Sequence, residues 1–176
     1  KTDILTVPTA SDIDAIDNIL LTQGVMKVTA ANQFKSAAVI TTTATNSTLD
    51  LDESQSIATL QNDGTLDILT GKTLKQTGTA ASTIGGVLTG AGTYEFDGAQ
   101  AVTWGPTLTG HTGEVTLTNV SSFTVADPSL LTVNTTFNVP TGKTLTLAAS
   151  GGKTLGASTI IGAGTLELNS DVAGDY

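Results

Sequence analysis

The chain has 176 residues, 39% hydrophobic, 4% aromatic and 13% charged, with 16 acidic residues against 7 basic ones and a formal net charge of −9. All of the basic residues are Lys, so a basic face able to neutralise phosphates is excluded and nucleic acid is not a partner. There is no Cys, which removes disulfides, thiol catalysis and thiolate metal sites, and the length suits one domain with a real core.

Thr is the most informative residue. There are 35, alongside 19 Gly, so hydroxyl and backbone groups supply the wettable surface that charge supplies elsewhere. Thr is β-branched and favours strands. The chain opens at Lys1 without the apolar core of a signal peptide and reads as a mature product or an excised piece. Apolar runs such as Ala37 to Ile40 are far too short to span a bilayer, so no membrane span is expected.

In chain order, Ile4-Leu5-Thr6-Val7 reads as a free strand that another copy can complete. Ser11 to Leu21 then places Ile13, Ile16, Ile19 and Leu20 at helical spacing, with Ser11 as N-cap and Gly24 beyond the end, which predicts a short helix. Residues 1–37 are read as a helix-containing cap or assembly segment, and residues 38–176 as a Thr/Gly-rich β-repeat domain. In the second part apolar and polar residues alternate over short stretches bounded by Gly, Asn, Asp or Pro. The expected strands are Thr48–Leu51, Thr65–Ile68, Thr93–Phe96, Val115–Thr118, Phe123–Val125, Leu131–Val133, Phe137–Val139, Leu145–Leu147 and Leu166–Leu168.

These stretches carry an internal repeat. Gly71-Lys72-Thr73-Leu74 recurs at Gly142 and Gly152, Ala81-Ser82-Thr83-Ile84 recurs at Ala157, and Gly90-Ala91-Gly92-Thr93 recurs at Gly162. The offset shrinks from the first block (Gly71 to Gly152) through the second (Ala81 to Ala157) to the third (Gly90 to Gly162). The differences fall at Gly-rich junctions, as insertions into the turns of stacked coils would. An all-β solenoid is the expected fold, with a β-sandwich or jelly roll as the alternative. Stacked coils would place Leu, Ile, Val and Phe in a narrow interior and Thr, Glu and Lys outside.

The units GKTLTLAASGGKTL and GAGTLELNSD resemble the Gly-Thr-Leu repeats of right-handed β-helical passenger regions in bacterial autotransporters and filamentous-haemagglutinin-like adhesins, over about residues 60 to 170. The resemblance implies a secreted rod that displays faces or loops for adhesion, without catalysis.

Candidate chemistry is sparse. His111, the only His, sits in a Gly-flanked turn and reads as exposed, and a lone His without Cys makes a poor zinc site. Glu95 and Glu167 hold matching places in the repeat and should face water; if the matching places form a row, a cation or glycan is the ligand such a row would take. Asp50 and Asp52 read as a solvent face, and Asp12 and Asp14 as helix N-terminal charges rather than calcium ligands. Gly85-Gly86 and Gly90-Ala91-Gly92 are corners, not phosphate loops, and Trp104 is assigned to the core rather than to sugar stacking. The three Asn-x-Ser/Thr matches, at Asn46, Asn119 and Asn134, and the six Thr-x-Thr pairs are no more than chance gives in so Thr-rich a chain, which argues against ice binding.

No catalytic, cofactor or metal residue is assigned. The expected function is an extracellular structural or adhesive protein of a bacterial surface. Self-association and a glycan or host-surface receptor are the expected partners. Two alternatives stand beside it: a self-assembling filament or sheath subunit, and a carbohydrate-binding or carbohydrate-cleaving β-helix.

Overall fold

A computed structural model describes residues 4–7, 16–108, 110–131, 134–149 and 157–170. Among these, the first strands are β1 (Ile4–Val7), β2 (Asn18–Leu21), β3 (Gly24–Val28), β4 (Val39–Thr42), β5 (Ser47–Leu51), β6 (Gln55–Ile57) and β7 (Thr59–Asn62). There follow β8 (Thr65–Ile68), β9 (Thr73–Gln76), β10 (Ser82–Ile84), β11 (Val87–Gly90), β12 (Thr93–Phe96), β13 (Ala101–Trp104) and β14 (Thr107–Leu108). The last are β15 (Glu114–Thr116), β16 (Ser122–Val125), β17 (Thr136–Asn138), β18 (Thr144–Ala149), β19 (Thr159–Ile161) and β20 (Thr165–Ser170), with one 3₁₀ turn at Pro128–Leu130.

The strands form three sheets. The first has the order β1-β3-β5-β8-β11-β14, the second β2-β4-β7-β10-β13-β16-β18-β20, and the third β6-β9-β12-β15-β17-β19. From β5 to β16 the chain visits first, third and second sheet in turn, and every pairing is parallel. The protein is therefore a three-sided parallel β-solenoid. Coils differ in length: the partners Leu49↔Leu66 close a short one and Phe137↔Ile160 a longer one. Strands that precede Ala38 join the same sheets as the rest, β2 pairing with β4 and β3 with β5.

Alternation along each strand explains the interior. Leu49, Leu51, Leu66, Ile68 and Leu88 line the first sheet, Ile40, Leu60, Ile84, Val102, Phe123 and Leu145 the second, and Leu74, Tyr94, Val115 and Phe137 the third, all buried. At mid-stack the interior is aromatic: Tyr94 stacks on Phe96 at 4.4 Å between ring centroids, and Trp104 lies 5.6 Å from Phe123 and 5.8 Å from Phe137. The core assignment of Trp104 holds.

Several buried polar side chains bond the backbone of neighbouring coils. Thr42 Oγ1 donates to Asn62 Oδ1 and accepts from the Gly64 N–H, while Asn62 Nδ2 donates to the Gly85 carbonyl at 2.9 Å. Gln76 Oε1 accepts from the Leu60 N–H and its Nε2 donates to the Tyr94 hydroxyl. Corners also bring backbone against backbone: a Cβ on Gly98 would lie 1.8 Å from the Gly78 carbonyl oxygen, which only Gly permits.

Three expectations change. Asn18–Leu21, assigned to a helix, is strand β2, because Ile19 and Leu21 alternate into the core against Ile40 and Thr42; residues 11–15 of that expected helix lie outside the described residues. Leu131 follows the 3₁₀ turn instead of opening a strand, and Thr132 and Val133 lie outside the described residues. The repeat copies do not stack on one another. Ala81–Ile84 contributes β10 to the second sheet while its copy contributes β19 to the third, and Glu95 and Glu167 fall on the third and second sheets. The GKTL copy at 152–155 lies outside the described residues.

Candidate functional site: the uncharged face of the second sheet

Charge is distributed unevenly over the three sheets. The outward positions of the first carry Lys27, Asp50 and Asp67, and those of the third carry Lys75, Glu95 and Glu114. Along β2, β4, β7, β10, β13, β16 and β18 no residue is charged at all, and Glu167 on β20 is the first.

That face carries a registered row of hydroxyls. Thr41 partners Gln61, Thr83 partners Thr103, Thr103 partners Thr124, Thr124 partners Thr146, and Thr146 partners Glu167. Gln61 joins the two halves of the row, accepting from the Thr83 N–H at 2.8 Å and donating to the Ala81 carbonyl. A second column runs beside it through Ala101 and Ser122, and through Thr144 and Thr165. Parallel pairing sets neighbouring hydroxyls about 4.8 Å apart. Stiff χ1 torsions keep β-branched side chains in few rotamers.

These hydroxyls are not consumed by the fold. Thr41, Thr83, Thr103, Thr124, Ser122 and Thr144 make no side-chain hydrogen bond to another described residue. On the other sheets Thr116 donates to Glu114 Oε1 at 2.6 Å and Thr89 to the Leu66 carbonyl, while Thr48, Thr65, Thr73 and Thr93 are as unspent as the row, so what sets the second sheet apart is the lack of charge among its hydroxyls. Only at the end of the row does Thr146 donate to Glu167 Oε2.

The residues singled out from sequence fall elsewhere. Glu95 faces outward as expected, accepting from Thr118 Oγ1 and pairing with Lys75 at 3.2 Å. Asp50 and Asp52 both hold Lys27 Nζ at 2.8 Å, and these hydrogen bonds raise the lysine pKa above its usual value. Asp12 and Asp14 lie outside the described residues. Among the described residues no cluster of three or more metal-ligating side chains is present, and no helix is long and apolar enough to cross a membrane.

His111 overturns its reading as an exposed turn residue. It is fully buried, because the chain one coil on lays Thr135 over it. Thr135 Oγ1 donates to the His111 carbonyl at 3.0 Å, so its single proton is spent and it accepts from His111 Nδ1–H at 3.0 Å. Nε2 then carries the lone pair, buried and without a partner. Burial lowers the imidazole pKa from 6.5 to about 4, a shift the Gly92 backbone offsets only in part.

The sequence reading missed the hydroxyl row because it counted Thr-x-Thr along the chain. The row runs across coils instead, from Thr83 through Thr103 and Thr124 to Thr146, one member to each coil. A search for a polar residue between two apolar ones, recurring once per coil, is the signal that finds it.

No protein-family model matches the chain, and no curated protein or solved structure matches it either.

Proposed function

We propose that this protein is a non-catalytic structural or adhesive component of a bacterial cell surface, acting outside the cell through the second sheet. The observation that carries this reading is the registered row of unspent hydroxyls on the sheet whose strands β2 to β18 carry no charged residue, in a chain of net charge −9. An uncharged sheet edged by charged ones suits contact with an extended neutral surface better than capture of a soluble ion. The repeat style shared with β-helical passenger regions of autotransporters and filamentous-haemagglutinin-like adhesins supports the same reading.

The test is sedimentation of the purified chain with a panel of insoluble solids, including cellulose, chitin, silica and ice, together with size analysis of soluble polysaccharides incubated with it. Adsorption to at least one solid with unchanged polymer length is expected. Adsorption to none refutes the adhesive role, and shortened polymer refutes the non-catalytic one.

A second reading, a subunit of a filament, draws on the ends of the stack. Ile4 and Leu5 on β1 and Leu166 and Leu168 on β20 are exposed at 43% or more. Both strands are terminal in their sheets among the described residues. The inward phase of Leu166 and Leu168 matches that of Ile19 and Leu21, so a second copy would continue the second sheet by parallel pairing. Polymers with a regular repeat in electron micrographs at rising concentration are expected for that reading, and discrete particles at every concentration refute it.

A further inference from the structure

We infer that the surface recognised by the second sheet is ice, the lattice of tetrahedrally hydrogen-bonded water; this rests on the reading of that sheet as the binding face.

The geometry follows from hydrogen-bond lengths. A water that bonds two hydroxyl oxygens at about 2.8 Å each, with a tetrahedral angle between the bonds, holds those oxygens about 4.6 Å apart. The spacing of paired parallel strands, about 4.8 Å, is nearly that distance. Consecutive hydroxyls of Thr83, Thr103 and Thr124 are thus set for single-water bridges, and a row of such bridges repeats the second-neighbour spacing of tetrahedral water. Each Thr hydroxyl has one proton and two lone pairs, and none of these three spends its proton on the protein. Each threonine also carries a methyl beside its hydroxyl, apolar surface that favours release of disordered water on contact.

Three further features separate ice from other solids. A charged side chain holds a hydration shell that does not fit the lattice, and the seven strands β2 to β18 of this sheet carry none. Polysaccharide surfaces are gripped by stacking on aromatic rings. Here Trp104, Tyr94, Phe96, Phe123 and Phe137 are all turned into the core, so the face offers no stacking platform. The array is also held rigidly from beneath, since Val102, Trp104 and Phe123 alternate with its hydroxyls and pack in the aromatic interior.

The experiment is partition of the whole chain into a slowly growing ice phase, read with inhibition of ice recrystallisation. The variants are Thr83→Tyr and Thr103→Tyr, at two exposed places in the row that tolerate a β-favouring ring, and Thr107→Tyr, an exposed control on the first sheet. All are first matched for unfolding midpoint, which keeps misfolding out of the comparison. The parent and Thr107→Tyr are expected to concentrate in the ice and to restrain recrystallisation, and the two row variants to fall to the level of an inert carrier protein. Exclusion of the parent from ice overturns the inference, as does equal partition of all four proteins. Adsorption to cellulose or chitin with exclusion from ice overturns the inference while leaving the adhesive role standing; failure on every solid removes both.

Discussion

Protonation of His111 gives the sharpest quantitative test of the packing. In the folded chain the imidazole is neutral down to about pH 4, whereas in the unfolded chain it takes a proton near 6.5. Between those values the unfolded state binds more protons, so stability falls as pH falls through the window and the loss is complete below about 4. The depression of about two and a half units corresponds to about 3 kcal/mol, a large share of a typical domain's stability. The structural cause is specific: Thr135 fixes the proton on Nδ1, so acid must protonate Nε2, which is buried from water and makes no hydrogen bond in the neutral form, and the Gly92 backbone offsets that burial only in part. Urea unfolding followed by circular dichroism at several pH values, for the parent and for His111→Gln, measures the difference. Carboxylate contributions are common to both chains, so the parent should lose about 3 kcal/mol more than the variant on acidification. Parallel stability curves, or a histidine resonance of the folded chain titrating near 6.5, would refute the buried placement.

Three further outcomes follow from contacts of different strength. Gly98→Ala drives a Cβ into the Gly78 carbonyl of the coil below and should cost about 1–3 kcal/mol or more in denaturant titration, where Gly105→Ala, at a half-buried position with open space for a Cβ, should cost far less. Trp104→Ala empties the centre of the aromatic stack and should cost about 3–5 kcal/mol with loss of the near-ultraviolet dichroism; a small change would mean the rings do not pack together. Lys75→Ala removes ion pairs to Glu95 and Asp97 at a position about a third exposed, and should cost under about 1 kcal/mol, less still at high salt.

Much of the architecture is legible in the sequence because alternation of apolar and polar residues leaves a clear mark even on short strands: Thr48–Leu51, Thr65–Ile68 and Thr93–Phe96 are strands with the expected faces inward. What misleads is local pattern without its coil. Ile16, Ile19 and Leu20 satisfy helical spacing, yet the pairing of Asn18–Leu21 with Val39–Thr42 settles the segment as strand. His111 has the composition of an open turn, and only Thr135, a full coil later, buries it. The long repeat is real as text but spans a non-integral number of coils, so its copies land on different sheets. The hydroxyl row is hidden for the converse reason: variable turn lengths make the steps from Thr83 to Thr103, Thr124 and Thr146 unequal, and the register that aligns them is a property of the stack.

The stacking of coils that builds the hydroxyl row is tested most directly by distances along it. The chain has no Cys, so pairs of spin labels can be placed cleanly at Thr41 with Thr103, Thr124 or Thr146. These positions stand three, four and five strand steps apart in the second sheet. Electron–electron distances should rise by about 4.8 Å per step, to about 24 Å for the last pair. Distances that do not increase in that order would contradict the parallel solenoid and, with it, the face on which the proposed function depends.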